Sequence, residues 1–143
     1  MNVRAEVRLP VRPEEAWRRL LMWERQPEWM VDAAQVRVLG HRREGTGVRV
    51  AVKTRIFGIP AFTEILEVQE WEPPQRLTMA HGGPVRGVGE WWLQPDPDGT
   101  LFRWIEDVRL PIPVLGILAM AAYSPVMRRL MRRSVENFRR LVA

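Results

Sequence analysis

The chain contains no cysteine, one lysine (Lys53), one tyrosine (Tyr123) and two histidines. Without cysteine there is no disulfide framework, no thiolate chemistry and no zinc site built on sulfur. His41 and His81 stand far apart with no third ligand beside either, so no metal is expected, and nothing in the sequence calls for a cofactor. Long apolar runs are also missing. The most apolar stretch, residues 110–123, falls short of the ~20 residues needed to cross a bilayer and is interrupted by Pro111, Pro113 and Gly116. The opening MNVRAEVRLP alternates apolar and charged residues and lacks the apolar core of a secretory signal, which predicts a cytoplasmic protein.

What is present describes a globular chain. Its 143 residues are 46% hydrophobic and 27% charged, enough to bury a core and too few for two ordinary ones, so one domain over 1–143 is expected. The formal net charge is +5, carried by arginines spread along the chain. Such dispersion fits a composition bias or a thermophilic habit better than a binding patch, and no nucleic-acid partner is expected.

Apolar spacing supplies the elements. Val3, Ala5, Val7 and Leu9 alternate with charged residues, a period of two that predicts a half-buried strand. Pro13 with Glu14 and Glu15 marks a helix start, and Ala16, Trp17, Leu20 and Leu21 form its apolar stripe. Residues 27–30 read as a second helical turn with Trp29 as an anchor. Six strands are predicted to follow, near 34–39, 48–56, 62–71, 77–81, 85–93 and 100–110, separated by Gly, Pro and Asp turn signals. The hairpin at Gly58 and Pro60 and the turn at 95–99 are the clearest of these.

The rest is helical in pattern. Ser124-Pro125 reads as a cap followed by a helix start, predicting a short helix over 113–123, a break, and a main helix over 125–142. Met127, Leu130, Met131, Ser134, Phe138 and Leu141 fall on one side of it, with arginines over the remainder.

Four segments in this order resemble the START-like superfamily, also called SRPBCC or polyketide cyclase and dehydrase: PEEAWRRL after the first strand, VQEWEPPQRLTM at 68–79, WWLQPDPDGTLFRW at 91–104, and the terminal SVENFRRLVA. The resemblance implies an α+β helix-grip fold, in which a seven-stranded curved antiparallel sheet (β-α-α-β6-α) wraps around the long C-terminal helix and leaves an internal cavity. It does not imply one activity, because the superfamily includes lipid carriers, hormone receptors, coenzyme Q-binding proteins and a few cyclases.

On that fold the ligand cavity is expected to draw on Phe62, Leu66, Met79, Trp91, Phe102, Trp104, Glu106, Leu118, Tyr123, Met127 and Met131. Alternation places Glu106 on the apolar face of the last strand with Phe102, Trp104 and Val108. There it either has a raised pKa and meets a ligand, or pairs with an arginine at the sheet edge. Glu64 makes a weaker case on the fourth strand, where either face is nearly as apolar. His81 titrates in the right range for a proton carrier, although its place beside Gly82 and Gly83 predicts a solvated rim position. Glu106 and His81 are the catalytic candidates. Arg49, Lys53, Arg55 and Arg103 should face solvent, unless the strands slip by one residue and turn them inward as anion anchors.

Two functions follow. One is the binding or transport of a hydrophobic small molecule such as a lipid, an isoprenoid quinone or a polyketide-like compound. The other is a cyclase or dehydratase that uses acid and base groups in the cavity. Residues 110–123 are more apolar than one helical face needs. They form either a lid or portal with transient membrane contact, or a buried connection or homodimer surface, so monomer and homodimer both stay open.

Overall fold

The computed structural model describes residues 1–143. In chain order the elements are β1 (Asn2–Leu9), α1 (Pro13–Leu20), a 3-10 helix (Trp23–Glu28), β2 (Ala33–Leu39), β3 (Arg49–Ile56), β4 (Ile59–Glu72), β5 (Arg76–Gly82), β6 (Arg86–Asp96), β7 (Gly99–Arg109) and α2 (Leu115–Val142). The seven strands form one antiparallel sheet in the order β1-β7-β6-β5-β4-β3-β2. The first strand therefore pairs with the last, and α1 with the 3-10 helix carries the chain from one edge of the sheet to the other. This is the helix-grip architecture.

Strict alternation fixes the inner face at the β1–β7 edge. Val3, Ala5, Val7 and Leu9 of β1 are buried, and Glu106, Trp104, Phe102 and Thr100 of β7 stand opposite them in register. Charged residues point outward, where Arg103 meets Glu6 at 2.7 Å and Arg8 meets Asp96 at 2.9 Å. Exposed pairs of this kind contribute little stability.

Trp29 is the hub of the core. Its ring lies 5.1 Å from Phe138 and 5.7 Å from Trp91, both tilted, and 6.0 Å from Trp104 and 6.5 Å from Phe102, both edge to face, an arrangement that aromatic quadrupoles favour. Two polar contacts fasten this segment to α2: Val31 N–H donates to Ser134 Oγ at 3.0 Å, and Asn137 Nδ2 donates to the Trp29 carbonyl at 3.2 Å. Two of the expected cavity residues belong to this core alone. Phe102 and Met131 are fully buried among packed side chains and stay outside the cavity between sheet and helix.

The long helix differs from expectation. It runs unbroken for 28 residues with Pro125 inside it, because proline removes one rung of hydrogen bonding and leaves the rungs on either side intact. Its buried face is Met131, Ser134, Val135, Phe138 and Val142, whereas Leu141, expected on that stripe, is exposed. Before Ser124 the helix leaves the core, and Gly116 and Met120 alone are buried there. Leu118 is 62% exposed and stays outside the cavity between sheet and helix, which the next two residues, Ala119 and Met120, do border.

Candidate functional site

Between the inner face of the sheet and α2 lies a cavity of two lobes, about 90 Å³ inside and about 300 Å³ toward the mouth. Asp32, Thr54, Glu64, His81, Glu106 and Met127 border both lobes. Gln26, Leu66, Met79, Trp91 and Trp104 are among the other walls of the inner one, while Phe62, Met120, Tyr123 and Val108 shape the outer one. Of the expected cavity residues, Phe62, Leu66, Met79, Trp91, Trp104, Glu106, Tyr123 and Met127 border one lobe or both, and Phe102, Leu118 and Met131 border neither.

Strand pairing assembles the polar centre. Glu64 faces inward between Phe62 and Leu66 on β4, and the pairing of Leu66 with His81 puts the imidazole one step from it. Across β6, Glu106 lies opposite Gly89. His81 spans the two acids: Nδ1 is 2.8 Å from Glu64 Oε1, and Nε2 is 2.9 Å from Glu106 Oε2. The two outer carboxylate oxygens are held as well. Thr54 Oγ1 donates to Glu64 Oε2 at 3.1 Å, and Trp104 Nε1 donates to Glu106 Oε1 at 2.8 Å.

The two nitrogens of His81 both face carboxylates, and only the imidazolium has a proton for each. Burial alone would drive the ring neutral; hydrogen bonds and charge attraction from Glu106 and Glu64 override it and raise the pKa to about 10. His81 is therefore a buried cation clamped by two anions. This corrects the expected solvated rim position: the side chain keeps 12% of its exposure. Glu106 likewise has no arginine partner. Arg49, Lys53, Arg55 and Arg103 line neither lobe; β3 has an irregularity between Thr54 and Arg55, and the Arg55 guanidinium there donates to the Ala33 carbonyl at 3.2 Å.

One acid escaped sequence reasoning. Asp32 precedes β2, outside any strand alternation, and its backbone is pinned when Arg55 N–H donates to its carbonyl at 2.7 Å. No side chain donates to its carboxyl group. Burial, and then the charge of Glu106, raises its pKa to about 6. Tyr123, on the facing helix, is raised by its own burial and by Asp32. No group of three histidine or carboxylate side chains is arranged to hold a metal ion, since both His81 nitrogens are taken.

The mouth is apolar and exposed. Phe57 and Ile59 stand at the β3–β4 turn, and Ile112, Val114, Leu115, Ile117 and Leu118 lead into α2. Phe57 meets Tyr123 edge to face at 6.0 Å across the opening. Two of these positions hold unusual backbone. Phe57 (φ 49°) and Gly58 (φ 80°) take the two positive φ values of a type I′ turn, in which the first place suits asparagine far better than phenylalanine. Val114 (φ 62°, ψ −63°) bends the chain so that Leu115 N–H reaches the Pro113 carbonyl at 2.7 Å, a strained γ-turn for a β-branched residue.

Comparison with known proteins places this geometry. A family model described as polyketide cyclase / dehydrase and lipid transport matches residues 1–143. No curated protein matches the sequence. Among solved structures, TTHA0849 from Thermus thermophilus superimposes with a TM-score of 0.81 at 22% identity, covering 99% of this chain and 97% of that one. BH1534 from Bacillus halodurans gives 0.75 at 17% identity over 100% and 97% of the two chains. A START superfamily protein from Mycobacterium smegmatis gives 0.73 at 17% identity over 99% and 96%. At these identities the likeness speaks for the fold alone.

Proposed function

The chain belongs to the polyketide cyclase / dehydrase and lipid transport family, and from that premise we propose that it binds or carries a hydrophobic small molecule, of the lipid, isoprenoid quinone or polyketide-like kind, in the two-lobed cavity. The observation that supports this most is an outer lobe of about 300 Å³ walled mainly by Phe62, Val108, Met120, Tyr123 and Met127. Burying ~300 Å² of apolar ligand surface there releases roughly 7 kcal/mol at ~25 cal/mol per Å², from which the lost freedom of the ligand is subtracted. Affinity in the micromolar range needs no covalent chemistry.

The exposed apolar mouth fits a carrier that unloads at a membrane. Phe57, Ile59, Val114, Leu115 and Leu118 would enter the bilayer boundary while the body of the protein stays outside. No helix is long and apolar enough to cross it.

Native mass spectrometry of gently purified protein, with uptake of the neutral fluorophore N-phenyl-1-naphthylamine, tests the reading. An apolar adduct and probe uptake are expected, both lost in Met127→Trp, which fills the junction of the lobes. Absence of adduct and of uptake in the wild type overturns it. The cyclase or dehydratase reading draws on one observation, an acid near neutrality (Asp32) sharing a cavity with a buried imidazolium. Turnover of a polyketide-like substrate that Asp32→Asn abolishes would favour it.

A further inference from the structure

We infer that the apolar ligand carries a hydrogen-bond donor at its polar end, a protonated amine above all, directed at Asp32, and that carboxylate or phosphate headgroups are rejected. This deepens the binding proposal above and rests on it.

The donors around the cavity are already committed. Both N–H groups of His81 go to Glu64 and Glu106, the Thr54 hydroxyl to Glu64, the Trp104 indole to Glu106, and Gln26 Nε2 to the Leu20 carbonyl at 2.9 Å. Tyr123 is the remaining side-chain donor on the outer lobe. Acceptors are in excess. Each oxygen of Glu64 and Glu106 takes one partner and has room for another, and the Asp32 carboxyl group, bordering both lobes, has no side-chain donor at all.

Charge points the same way. Glu64, Glu106 and ionised Asp32 carry three negative charges against the His81 imidazolium inside and the Met1 ammonium at the edge, which leaves one negative charge in excess. No arginine or lysine lines either lobe. The Met1 amino group, at the edge of the outer lobe, donates to the Val108 carbonyl at 2.9 Å. An anion entering this cavity would lose its water and meet net negative charge, an arrangement that selects against it. A cation would replace its water with Asp32 and the free lone pairs of the two glutamates.

Size sets the probe. At roughly 30 Å³ per water-sized group, the outer lobe of about 300 Å³ accepts about ten heavy atoms. Decylamine, 1-decanol and decanoate share one chain and differ only in the head, so calorimetric titration of all three at pH 7.5 isolates it. We expect decylamine to bind at least tenfold more tightly than decanol, and decanoate to bind most weakly. Asp32→Asn should bring amine and alcohol within about twofold, chiefly by weakening the amine. Binding of decanol without preference for the amine overturns this inference and leaves the cavity reading standing. Decanoate binding as tightly as decylamine does the same. Failure of all three to bind overturns both. The wild-type ranking decides the matter even if the variant does not fold.

Discussion

Gly89 and Glu106 stand directly opposite on β6 and β7, and the carboxylate of Glu106 occupies the space a side chain at residue 89 would need. A Cβ there would lie 2.8 Å from Oε1 and 2.9 Å from Oε2. The missing side chain on one strand is what lets an acid lie flat under its neighbour and reach His81. Gly89→Ala should therefore push Glu106 aside and destabilise the fold by about 1–3 kcal/mol, the usual range for overpacking. In a Glu106→Ala background the same change should be nearly neutral, within about 0.5 kcal/mol. Urea denaturation of the wild type and the three variants reads the coupling directly, and equal penalties in the two backgrounds would refute it.

The pH response follows from two raised groups. Asp32 holds its proton more tightly in the folded chain (about 6) than at its ordinary value of 3.8, through burial first and Glu106 second. The stability it contributes is complete below about 3.8 and is lost as pH rises through about 6. For His81, burial opposes the charged form, but Glu106 and Glu64 prevail and move it from 6.5 to about 10. Its contribution is complete below about 6.5 and disappears as pH rises through about 10. Melting temperature against pH should show a decline in each window; Asp32→Asn removes the lower one and His81→Gln the upper. An imidazole that titrates near 6.5 by NMR would contradict the clamp.

Strain at the mouth makes a third expectation. Phe57 exposes 75% of its surface in a left-handed backbone position, a conformation that costs a residue with a Cβ about 1–2 kcal/mol. Phe57→Asn relieves part of that, so the variant should melt higher by the equivalent of about 1 kcal/mol. If the ring serves membrane contact, the same variant should sediment less with phosphatidylcholine vesicles. Unchanged sedimentation would remove Phe57 from that surface. Loss of sedimentation only when a homodimer is disrupted would assign the surface to a second copy instead.

Much of the architecture was legible because it rests on local periodicity. The proline start of α1 and the glycine turn at 58 follow from the backbone preferences of those two residue types, while the alternation of β1 and β7 follows from residues two apart sharing a face. Burial of Glu106 was legible for the same reason. The register on β4, where Phe62, Glu64 and Leu66 turn inward, required a choice between two faces of similar polarity.

Amino-acid order was enough to set the strands, the sheet with its terminal helix, and an acid on an apolar strand face, but not the continuity of that helix through Pro125. It took the folded arrangement to bury His81 between two carboxylates, to bring Asp32 beside them, and to turn Leu118 outward while Phe102 and Met131 became packing. A side chain's charge state and its use depend on partners brought from 17 and 25 residues away by strand pairing, and such separations leave no trace in the periodicity of any one segment.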